Sequence, residues 1–147
     1  MDRCWVTQPY PAICLYKMKN MSYVARVGLP SLEGNDSYAN HKGNHECVTL
    51  VQKAAGAPNT GQWKRGIKVM AAKKGTIPMG TVIATFDGEG NYPSTARHAA
   101  IYVNHNEMGI GVYDQWNKQG KSKYRVIRNK KLGFRNVDDA DSYWVVE

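Results

Sequence analysis

A mixed α+β domain is the fold class this sequence predicts, and three observations carry the prediction. Residues 46–55 place apolar side chains at 47, 50, 51, 54 and 55, the spacing of a helix with one buried face. From Gly75 onward the pattern changes to short β-branched and aromatic runs bounded by Gly, Pro and Asn. The chain has 147 residues, enough to bury one core and too few for two, so the helix and the strands must share it.

Taken in order, residues 1–22 read as an extended or flexible leader, with Pro9, Tyr10 and Pro11 in its middle and Met18 and Met21 near its end. Met21 could serve as an alternative start, and the folded domain is expected over residues 23–147. Residues 34–44 are polar and rich in Gly and Asn, the composition of a loop. The helix follows directly, with Cys47 in its first turn, and Gly56 and Pro58 end it. Residues 81–86, 98–103 and 109–114 are predicted as three neighbouring antiparallel strands, and residues 124–127 and 142–146 as two more. His105 falls in a polar turn on this reading.

Composition bounds the function without choosing it. Twenty Lys and Arg against twelve Asp and Glu give a net charge of +8, which favours anionic partners such as nucleic acid, acidic lipid or a carboxylate-rich polymer. No apolar run approaches the roughly 18 to 20 residues that cross a bilayer, so membrane insertion is not expected. The residues after Met1 lack the apolar stretch and small-residue cleavage site of a secretory signal. Work outside the producing cytoplasm would therefore need another export route. Three cysteines leave one unpaired if Cys4 bonds Cys14, and Cys47 is then the odd thiol.

A thiol acts as a nucleophile only as the thiolate, and the first turn of a helix favours that charge through its unpaired N–H groups and its dipole. The same groups can hold the oxygen of a tetrahedral intermediate. The thiolate needs a base near neutral pH. Of four histidines, His41 and His45 are chain neighbours of Cys47 and poorly placed to face it, whereas His98 opens a strand that could hold its ring against the helix. Asp114 ends the next strand, and a hairpin between the two strands brings it beside His98, where it could orient the imidazole. Gln115 is the alternative for that role, or could stabilise an oxyanion. Arg97, Trp116 and Tyr92 are candidate substrate contacts. The Cys and His spacings match no zinc pattern, and neither a metal nor another cofactor is expected.

Each residue also has a plainer reading: Cys47 as a core thiol, His98 as a strand-end surface residue, Asp114 as a turn former. The joint arrangement is what argues for chemistry. A small basic nucleic-acid-binding module is the competing class, since the nine Tyr and four Trp could stack on bases. A catalytically inactive binding domain on the same fold is a third.

Residues 46–51, 80–86, 97–102 and 111–116 together resemble the second family of type VI secretion amidase effectors, a group with relatives domesticated by eukaryotes, and the resemblance runs from about Gly28 to the C-terminus. It implies a papain-like fold related to the CHAP and NlpC peptidoglycan hydrolases, with Cys47 as nucleophile, His98 as general base and Asp114 as orienting residue. It further implies cleavage of the diaminopimelate–D-Ala cross-link of peptidoglycan by an antibacterial toxin. Such a toxin is made in the bacterial cytoplasm without a signal peptide and delivered by the type VI apparatus to the periplasm of a target cell. An immunity protein would guard the producer, and a groove open to a polymer suits a monomer. The leader has no counterpart in the resemblance.

Overall fold

The protein is described by a computed structural model over residues 22–131 and 136–147. The expected leader and the Cys4–Cys14 pairing therefore lie almost wholly outside the described residues, and Cys47 is a free thiol. Among the described residues one α-helix, α1 (Cys47–Ala55), packs on a six-stranded antiparallel sheet. The strands are β1 (Arg65–Lys68), β2 (Val82–Thr85), β3 (Ala99–Asn106), β4 (Gly109–Asp114), β5 (Lys123–Arg128) and β6 (Tyr143–Val146). This is the α+β arrangement expected, with the helix bearing Cys47 laid against the sheet.

The apolar spacing of α1 has the predicted consequence. Leu50, Val51, Ala54 and Ala55 are buried, and Cys47 sits half-buried one turn before them. Gly56 ends the helix with φ 69°, and its N–H returns to the Gln52 and Val51 carbonyls. That left-handed backbone suits glycine.

The sheet order is β1-β6-β2-β3-β4-β5. From β2 to β5 the chain runs as a meander, as expected, but β6 returns from the C-terminus to lie between β1 and β2. β2 is buried along its whole length because the sheet is covered on both faces. On one face α1 closes a core with Val82, Ala84, Ala99, Ile101, Trp63 and Phe86. On the other, Ile83, Ala100, Tyr102, Ile110, Val112 and Tyr143 form a second core under Val69 and Ala140.

The structure departs from the sequence expectations in two places. Arg65–Lys68, which belongs to none of the expected strands, pairs with β6 as an edge strand, half-exposed and rich in cations. His105 was placed in a polar turn, yet β3 runs on past it. An irregularity between Tyr102 and Asn104 shifts the pairing with β4, and His105 is buried with its ring nitrogens bonded to Tyr102 Oη (2.6 Å) and the Ala72 carbonyl (2.7 Å).

Candidate active site

His98 precedes β3 and is fixed there by main-chain bonds to β2. Its N–H donates to Thr85 Oγ1 (3.1 Å), its carbonyl accepts from Thr85 N (3.0 Å), and Thr85 Oγ1 donates on to the Ala96 carbonyl (3.2 Å). Ala96 adopts φ 50°, uncommon for a residue with a Cβ. The chain is thus turned sharply just before His98 and clamped just after the turn. The ring is held as firmly as the backbone: Nε2 is bonded to Asp114 Oδ2 at 2.7 Å, with Asp114 fully buried at the end of β4. The hairpin register that pairs Ile101 with Tyr113 sets these two side chains near each other.

With Nε2 committed to Asp114, Nδ1 is the nitrogen left to face Cys47, and the thiol lies within reach of the imidazole's influence. The electrostatics of the pair follow from its neighbours. Burial opposes the Cys47 thiolate, but the hydrogen bond and charge of His98, the Ala99 main-chain N–H and the Tyr92 hydroxyl together hold the thiol below its ordinary value. Burial likewise opposes the charged imidazole, yet hydrogen bonds to Asp114 and Cys47, with the charges on both, raise His98 to about 9. Both shifts favour thiolate beside imidazolium over the neutral pair.

Around this pair stand the other residues singled out from the sequence. Tyr92 brings its hydroxyl to 3.8 Å from Cys47 Sγ and packs edge-on against Trp63 (4.8 Å between ring centres). Burial and the charge of Cys47 push the phenol above its usual value, so it remains a donor. Trp116 is 38 % exposed and meets the His98 ring at a centroid distance of 6.3 Å. It is neither core nor free surface; it roofs the imidazole. Arg97 is exposed beside His98, and its charge acts on Tyr92.

Gln115 does not occupy either of the roles open to it. Its Nε2 donates to the Tyr38 and Glu46 carbonyls, both at 2.9 Å, which ties the loop before α1 to the end of β4. An amide nitrogen with both hydrogens so engaged has none left for an oxyanion. His41 is exposed, and His45 is turned to the Asp36 carbonyl at 2.9 Å. Sequence reasoning missed Arg125, whose Nε donates to Asp114 Oδ2 at 2.8 Å and whose guanidinium lies 5.2 Å from the Trp116 ring centre. Among the described residues no cluster of His, Cys, Asp and Glu could hold a metal ion.

A free thiol at the start of a nine-residue helix, with its pKa lowered by an imidazole that is itself bonded to a buried carboxylate, can attack a carbonyl and return the proton to a leaving amine. Comparison with known proteins points the same way. Residues 17–146 match the family described as Domesticated amidase effector 2. A Salmonella typhi protein named Type VI secretion amidase effector 2 is 32% identical over 131 residues, covering 80% of this chain and 93% of that one. An Ixodes scapularis protein named Domesticated amidase effector 2 is 39% identical over 105 residues, 69% of this chain and 70% of that one. A solved structure of Type 6 secretion amidase effector 2 superposes with a TM-score of 0.71 at 29% identity, covering 84% of this chain and 93% of that one.

Proposed function

The chain belongs to the Domesticated amidase effector 2 family, whose relatives are named amidase effectors of type VI secretion, and from that membership we propose that it is a cysteine amidase cutting the diaminopimelate–D-Ala cross-link of peptidoglycan. The observation that supports the reading is the gathering of a half-buried Cys47 at a helix start, His98 beside it, and a buried Asp114 bonded to His98 Nε2. A basic nucleic-acid-binding module would leave that gathering without a purpose.

In the proposed cycle the Cys47 thiolate attacks the D-Ala carbonyl carbon. The oxygen that gains the electron pair is held by N–H groups that open α1 ahead of Thr49, whose own N–H is taken by the Glu46 carbonyl, and by the Tyr92 hydroxyl. His98 donates its Nδ1 proton to the departing diaminopimelate nitrogen as the C–N bond breaks, and Asp114 keeps the ring in the donating orientation. The neutral imidazole then takes a proton from water, whose oxygen attacks the thioester and releases the acyl-enzyme.

Arg97 is suited to grip a stem-peptide carboxylate, and Tyr92 and Trp116 to wall the groove on either side of the sulfur. The +8 charge assists approach to an acidic wall polymer. In the cell this activity would make the protein an antibacterial toxin carried by the type VI apparatus to a competitor's periplasm, monomeric at work and held in check at home by an immunity protein.

The bond assignment is tested with a purified cross-linked dimer of two tetrapeptide-bearing disaccharides, its products separated by chromatography and weighed. Cleavage at the proposed bond yields two tetrapeptide monomers. A shortened stem peptide among the products would move the cut elsewhere, and an unchanged dimer would sink the amidase reading.

A further inference from the structure

Asp114 is fully buried, and its two oxygens are used unequally. Oδ2 accepts from both His98 Nε2 (2.7 Å) and Arg125 Nε (2.8 Å), while Oδ1 has no hydrogen-bond partner among the described residues. The whole load of a buried carboxylate therefore rests on one oxygen and two donors. We propose that Arg125 is a positioning residue of the Cys47–His98 pair, fixing the Asp114 carboxylate and balancing its charge, an inference that rests on Cys47 being the nucleophile.

The argument is one of charge and geometry. With thiolate and imidazolium present, Cys47, His98, Asp114 and Arg125 alternate in sign from one neighbour to the next and their charges cancel. Without Arg125 the same series carries a net negative charge around the buried Asp114 carboxylate, which disfavours the thiolate and binds the imidazole proton more tightly. The other titratable or charged groups that face this series are Tyr143 on β6 and Tyr92 with Arg97 before β3, while Glu46 and Asp138 act on those tyrosines. Both tyrosines are pushed above their ordinary values and stay neutral. Among the described residues Arg125 is thus the one permanent cation bonded to the carboxylate. Its position is built: β5 pairs with β4 so that Arg125 faces Val112, two residues from Asp114 on the same side of the sheet. Its guanidinium also lies against Trp116, the ring that covers His98.

The test uses the full chain as wild type, Arg125→Gln and Arg125→Lys, with folding checked by circular dichroism. The rate of Cys47 alkylation by iodoacetamide is followed from pH 4 to 10, with the Cys47 peptide quantified by mass spectrometry to separate it from Cys4 and Cys14. Alkylation needs no wall substrate, so an unreactive muropeptide profile with a normal alkylation curve would sink the peptidoglycan reading and leave this test standing. Expected for Arg125→Gln is an upward shift of both inflections by about one pH unit, and for Arg125→Lys a return of both to the wild-type positions. Arg125→Gln with unmoved inflections, or Arg125→Lys displaced as far as Arg125→Gln, overturns the proposal. If Arg125→Gln does not fold, Arg125→Lys decides: inflections at the wild-type pH support the proposal and displaced ones overturn it.

Discussion

The thiolate at Cys47 is only as available as the imidazolium beside it is stable, and that stability is supplied by Asp114 from the far side of the ring. Asp114→Asn keeps the shape but removes the charge, and the proposed amidase rate falls by about 10²- to 10⁴-fold, read as kcat on a soluble cross-linked muropeptide. A second prediction concerns stability. His98 is raised to about 9, so its contribution is complete below about pH 6.5 and lost as pH rises through 9. Cys47 is lowered, so its contribution is complete above about pH 8.5 and lost as pH falls through its folded value. Where the two windows overlap the slopes oppose, because the folded state gains a proton at His98 and loses one at Cys47 relative to the unfolded chain. The wild-type thermal midpoint accordingly falls less steeply between about pH 6.5 and 8.5 than that of Cys47→Ala, in which the His98 slope is unopposed; a parallel decline in both proteins would contradict the ion pair. These three residues were legible in the sequence, since each stands at the end of an element with a clear period. Arg125 was not, because it meets Asp114 through the register of β4 with β5, which no local pattern encodes.

At the scale of elements, α1 holds Cys47, the proposed nucleophile, in place by burying its apolar face. Leu50 is fully buried, and Leu50→Ala costs about 2–5 kcal/mol in denaturant unfolding, with Cys47 reactivity falling before global unfolding. The β3–β4 hairpin carries His98 and Asp114 at its open end and Gly109 at its closed end. Gly109 has φ 156°, and a Cβ there would run into the Ile127 carbonyl oxygen on β5. Gly109→Ala therefore lowers the midpoint of thermal unfolding, and a midpoint equal to wild type would show that the hairpin end is looser than described. The helix and β2 to β5 could be read from apolar period and turn residues. β1 could not, because an exposed edge strand such as Arg65–Lys68 needs no apolar face and lacks the pattern that marks a strand. The place of β6 between β1 and β2 was equally hidden, since strand order is decided by packing across the whole chain.

The molecule as a whole joins a basic surface to one buried, charge-balanced site in a family of amidase effectors. On the proposed function the net charge of +8 serves approach to the polymer and not the chemistry, so raising ionic strength is expected to weaken sacculus binding while leaving the rate of Cys47 alkylation nearly unchanged. The measurement that tests the central claim most directly is digestion of intact Gram-negative sacculi by wild type and by Cys47→Ala, with muropeptides separated and identified by mass. The account predicts that wild type converts cross-linked tetrapeptide dimers to monomers and that Cys47→Ala leaves the dimers whole. Equal conversion by the two proteins, or none by wild type, would contradict it.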